Sequence, residues 1–111
     1  METKEDFTPN SSATIDGKSI ETYKTCLENF NIIEVEAGTT GPMGGDSGHG
    51  CRTYFRIEDL ASTDMRCRVH SDDGTYEFDH IERIELMFGG DSELDTFREA
   101  LRIGYEVLKQ R

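Results

Sequence analysis

Gly38 to Ile57, G-T-T-G-P-M-G-G-D-S-G-H-G-C-R-T-Y-F-R-I, is the stretch around which the rest of the chain is organised. The first part carries five further glycines, and the last part, Arg52 to Ile57, alternates cleanly. Successive side chains of a strand point to opposite faces. Thr53, Phe55 and Ile57 therefore form a core-facing set, and Arg52, Tyr54 and Arg56 face the other way. Upstream, Ile32 to Ala37 alternates too, with Ile33, Val35 and Ala37 on one side and Glu34 and Glu36 on the other. The glycine-rich stretch is then a long connection between two strands at one end of a sheet. Connections longer than an ordinary hairpin loop are usually functional or disordered.

Working outward, residues 1–17 hold Pro9, Asn10, Ser11 and Ser12 and few apolar side chains, and read as a flexible arm. Asp16-Gly17 offers a hairpin turn as the alternative. From Ser19 to Phe30 the apolar residues Ile20, Tyr23, Leu27 and Phe30 fall at steps of three and four, which predicts a helix, with a strand as the alternative that the threonines and Tyr23 leave open. Met65 to His70 alternates as a strand, with Met65, Cys67 and Val69 inward. Asp72-Asp73-Gly74 signals a hairpin, and Tyr76 to Phe88 continues with a bend near Asp79–Glu82. Asp91 to Gln110 carries an apolar stripe through Leu94, Phe97, Leu101, Tyr105 and Leu108, with Asp91 or Ser92 as cap. The expected architecture is α+β. Roughly four mainly antiparallel strands carry the C-terminal helix on one face and an N-terminal helix at the flank, with residues 18–111 as one domain. Phe55, Val69, Leu86, Phe97 and Leu101 should share its core.

The chain has 111 residues, 23 acids and 12 bases, a net charge of −11. Such a balance disfavours direct binding to nucleic acid, which needs a basic surface. It suits a cationic partner, or a surface imitating nucleic acid. Cys26, Cys51 and Cys67 are odd in number, widely spaced and without a C-x-x-C pair, and no signal peptide or spanning apolar run is visible. These features predict a cytoplasmic protein with free thiols and no membrane contact.

Four constellations are candidates for chemistry. The glycines let successive backbone N–H groups converge into an anion-binding nest, although the stretch holds no lysine and matches no nucleotide-loop pattern. Met43, Gly44, Gly45, Asp46, Ser47 and His49 are its candidate contacts. Asp46-Ser47-Gly48 echoes the surroundings of a protease serine, but the chain is too short for that fold and lacks a fitting histidine. His49, His70 and His80 with nearby aspartates show no recognised metal-ligand spacing. Arg52, Arg56, Arg66 and Arg68 share a face if Arg52–Ile57 pairs with Met65–His70. They read either as an anion pocket with Tyr54 for stacking, or as cross-strand ion pairs with Glu34 and Glu36.

The run G-G-D-S-G-H-G-C-R-T-Y-F-R-I, preceded by E-V-E-A-G-T-T-G and followed by the helix start G-G-D-S-E-L, resembles small proteins carried by bacteriophages and prophages. The resemblance spans roughly Ile33 to Leu108. It brings no established activity, so no functional residue is carried over. What it implies is a context, since small acidic phage-borne proteins often act against host defence. The expected function is a non-enzymatic, anti-CRISPR-like inhibitor, without a cofactor, acting in the host bacterial cell. Its partner would be a defence nuclease whose basic groove it occupies through Glu34, Glu36 and the loops. Arg52, Tyr54 and Arg56 complete the candidate site. Alternatives are a nucleotide-sequestering protein built on the glycine nest and a metal-assisted hydrolase using His49 and Asp46. The oligomeric state is open, a homodimer included.

Overall fold

Asp16 and Gly17 both take positive φ, 51° and 76°, the geometry of a tight two-residue hairpin turn. The turn joins β1 (Ser11–Ile15) to β2 (Lys18–Glu28) in antiparallel register, Ile15 opposite Lys18 and Ala13 opposite Ile20. The computed structural model describes residues 5–111, and among these the elements that follow are β3 (Ile32–Thr39), β4 (Arg52–Ala61), β5 (Cys67–Ser71), β6 (Gly74–Phe78), β7 (Arg83–Gly89) and α1 (Asp91–Lys109). One antiparallel sheet runs β1-β2-β3-β4-β7, and β5 with β6 makes a separate two-stranded ribbon.

The fold class expected from sequence is therefore corrected. The described chain is mainly β, with seven strands, a curled five-stranded sheet and a single helix at the C-terminal end. The N-terminal helix is absent, because Ser19–Phe30 lies almost wholly within β2. Its three-and-four spacing is overridden by Ile20, Thr22, Tyr23 and Thr25, types that suit a pleated surface, and by neighbours that take both strand edges. Ser11–Ile15, placed in the arm by the sequence, is the edge strand β1. The first four residues of that arm lie outside the described residues.

The face assignment of β4 is also corrected. Tyr54 and Arg56 are buried, while Phe55 and Ile57 keep partial exposure. The sheet curls so that Ile15, Ile20 and Tyr54 pack together inside it, with Ala13 against them. Arg52 ties the curl shut through an ion pair to Asp16 at 2.9 Å. The opposite face carries α1. Phe97 stacks on Phe88 with ring centroids 4.4 Å apart and meets Phe55 edge-on at 5.6 Å, and Leu94 is buried beside them. The apolar content is thus split between two small clusters. Val69, Leu86 and Leu101, expected in one core, are exposed.

β4 pairs with β3 and β7, not with the Met65–His70 segment. Arg66 and Arg68 consequently belong to the ribbon region, away from Arg52 and Arg56, and the four-arginine face does not assemble.

Candidate functional site

The backbone N–H groups of the glycine-rich stretch converge as a nest, and the anion in it is Asp91 of the chain itself. The Asp91 carboxylate accepts backbone N–H bonds from Met43 (3.0 Å), Gly44 (2.7 Å) and Cys51 (3.1 Å). The exchange is mutual. Gly90 precedes α1 without a capping side chain, and Asp46 from the loop accepts the Ser92 N–H at 2.8 Å instead. Glu93 accepts the Ser47 N–H, the Asp91 N–H donates to the Gly45 carbonyl, and the Gly48 N–H donates to the Gly89 carbonyl. Free N–H groups at a helix start favour such carboxylates, as does the helix dipole. The N–H groups of Met43 and Gly44 hold the Asp91 carboxyl below the usual aspartate range, and Ser92 does the same for Asp46. Gly50 is needed for shape. At φ 88°, a Cβ there would stand 2.6 Å from the Gly45 carbonyl oxygen. Arg52 lies beneath, donating to the Gly48, Gly50 and Cys51 carbonyls.

A phosphate entering this nest would have to displace a carboxylate of the chain itself. Asp46, named with His49 in the hydrolase alternative, accepts the Ser92 N–H. Among the described residues no three His, Cys, Asp or Glu side chains gather as a metal-ligand set. Met43 and His49 remain exposed on the outer side of the loop.

Glu34, Glu36 and Arg56 do come together, on the face that also holds Tyr54. The Arg56 guanidinium meets Glu34 and Glu36 at 2.7 Å each, and also Glu58. Thr22 donates to the second oxygen of Glu36. Burial alone would raise the Glu36 carboxyl, but the bonds from Thr22 and Arg56 hold it below its usual value. Arg56 itself is pushed upward: burial opposes its charge, and the bonds from Glu34 and Glu36 outweigh that. Tyr54 donates to Glu85 at 2.7 Å, and burial together with that carboxylate raises its hydroxyl to about 12. The acids expected to meet a basic partner are thus spent on an arginine of the same chain. Only 5% of Arg56 and 6% of Glu36 is exposed.

The ribbon is different. Every residue from Arg68 to His80 is exposed, and β5 and β6 pair with each other alone. Directly opposed residues share a face. Cys67 opposite Phe78 and Val69 opposite Tyr76 therefore make one apolar side, with Val69, Tyr76 and Phe78 exposed by 43%, 44% and 51%. Arg68, His70, Thr75 and Glu77 occupy the other, joined by an Arg68–Glu77 ion pair and a Thr75–His70 bond. Sequence reading paired these residues correctly in parity, but gave them a core that the fold does not supply. The available signal was charge. Residues 58–82 hold eight acids and two bases, a net −6 of the chain's −11.

Comparison with protein-family models, with curated proteins and with solved structures finds no match for this chain. Among the described residues no helix is long and apolar enough to cross a membrane. Cys26, Cys51 and Cys67 are free thiols, the second buried.

Proposed function

We propose that the chain is a binding protein that blocks a basic, nucleic-acid-binding surface on a host defence nuclease, and that the β5–β6 ribbon makes the contact. The observation that carries this reading is the ribbon itself. It stands clear of the sheet, shows Val69, Tyr76 and Phe78 on one side, and sits in a segment of net charge −6. An isolated two-stranded ribbon is marginal in water, so exposed aromatic residues on it are best accounted for by a partner. Tyrosine and phenylalanine are typical anchors at the centre of an interface, and surrounding acids steer the approach to a cationic groove. Asp64, Asp72, Asp73 and Asp79 provide that surround. The phage-type resemblance supplies the class of target. Relative to the expectation from sequence, the contact moves from Glu34, Glu36 and the glycine-rich loop to the ribbon.

The test is direct binding of the purified chain to immobilised CRISPR effector complexes, with and without guide RNA, across a salt series. Expected is saturable binding that weakens steeply as salt rises and is lost when target DNA already fills the groove. Absence of binding to any effector at low salt contradicts the proposal.

A further inference from the structure

We infer that the apolar groove beside α1 is a self-association site, occupied in solution by the last turns of α1 from a second copy of the chain. The groove encloses about 510 Å³ between the helix and the face of β2 and β3, lined by Phe7, Tyr23, Val35, Ala37, Phe55 and Leu101. Only the first half of α1 is anchored, through Leu94 and Phe97. Beyond it Leu101, Ile103, Tyr105, Val107 and Leu108 are all exposed. Leu101, Tyr105 and Leu108 continue the stripe of Leu94 and Phe97 at helical spacing, so the greasy face runs on past the sheet that should cover it.

Two observations point to a second copy as the occupant. The first is area. The chain exposes 8497 Å², where a compact monomer of its mass exposes about 6,200 Å². The excess is about 2,300 Å². A stable interface takes about 800 Å² from each partner, so the excess accommodates the ribbon and a dimer contact together. The second is charge. Residues 98–111 hold four bases and two acids, net +2, while residues 1–97 hold eight bases and 21 acids, net −13. The end of α1 is thus a basic, apolar segment on an acidic body, and the groove it would enter is lined by Glu21 and Arg98 among otherwise mostly apolar side chains, so the attraction comes from the body and not from the groove floor. A two-fold arrangement places each helix end in the other copy's groove and closes the assembly at two.

Sedimentation equilibrium of the full chain tests this. The expected mass is twice 12.6 kDa. Replacing Tyr105 and Leu108 together by Glu should weaken association at least tenfold and leave the circular dichroism unchanged, since both side chains are exposed in the single chain. Ala37→Glu, on the exposed floor of the groove, should weaken it from the other side. Tyr76→Ser with Phe78→Ser should leave the dimer intact, which keeps this inference separate from the ribbon proposal. A chain that stays at 12.6 kDa up to about 1 mM, or a dimer that neither helix nor groove variant disturbs, overturns it.

Discussion

The Asp91 carboxylate accepts the backbone N–H of Gly44 at 2.7 Å, across 47 positions of sequence. With the return bond from the Ser92 N–H to Asp46, it fastens the glycine-rich stretch and the start of α1 to each other. Asp91→Ala should therefore lower the melting temperature and loosen loop and helix together, seen as faster amide exchange at Met43, Gly44 and Cys51. Asp91→Asn, which keeps an acceptor and loses the charge, should fall between wild type and alanine. The pH dependence follows from the lowered carboxyls of Asp91 and Asp46. Their contribution is fully present above the usual aspartate value of 3.8 and is lost as pH falls through the lowered values. Acid titration of the Asp91→Asn variant should show a shallower loss than wild type.

Among the described residues Arg56 is the cation in ion-pair contact with Glu34, Glu36 and Glu58, so its removal takes that contact from three carboxylates. Arg56→Met should cost about 3–5 kcal/mol in urea unfolding, the range for breaking a buried ion pair from one side. Adding Glu36→Gln should recover part of that loss, because the stranded charge goes with it. Equal or greater loss in the double variant would argue against a charge penalty.

Gly50 and Gly44 separate two costs. Both hold positive φ, at 88° and 83°, so alanine strains the backbone at each, by about 1–3 kcal/mol. Only at Gly50 does the new Cβ also meet a carbonyl, that of Gly45. Gly50→Ala should be the more destabilising in thermal melts. The same logic applies to Gly45→Val. Gly45 lies 3.0 Å from Gly50 by its would-be Cβ, and its carbonyl accepts the Asp91 N–H. Valine there should loosen α1 as well as the loop.

Phe97 should behave as the anchor of α1. Its ring meets Phe88 and Phe55 but is only partly buried, so Phe97→Ala should cost about 2–3 kcal/mol, below the range for a fully buried ring. Leu108→Ala, at 76% exposure, should change the stability of the single chain by no more than about 0.5 kcal/mol. Urea titrations at a concentration where the chain is monomeric make the comparison.

Strand positions were legible wherever alternation was strong. Ile32–Ala37, Arg52–Ile57 and the start of α1 fall where the sequence puts them, and the strand expected over Met65–His70 begins two residues later, at Cys67. Pairing was not legible. β4 reaches past the ribbon to β7, and nothing in Arg52–Ile57 distinguishes Ile84 from Val69 as a neighbour. The helix expected at Ser19–Phe30 failed because Leu27 and Phe30, which completed its stripe, are simply exposed. The glycine-rich stretch was seen as an anion nest, but its anion lay 40 or more positions away in the segment taken only as a helix cap. The burial of Arg56 escaped because alternation marks a polar face as outward, whereas the curl of the sheet turns that face in.

We propose that the ribbon, and not the glycine-rich loop, meets the partner. The decisive measurement compares two variants for effector binding at low salt. One carries Tyr76→Ser and Phe78→Ser; the other carries Met43→Ala and His49→Ala, whose side chains project from the loop without serving its clamp. The ribbon variant should lose at least tenfold in affinity and the loop variant should bind as wild type, both folded by circular dichroism. Undiminished binding by the ribbon variant, with loss in the loop variant, would contradict it.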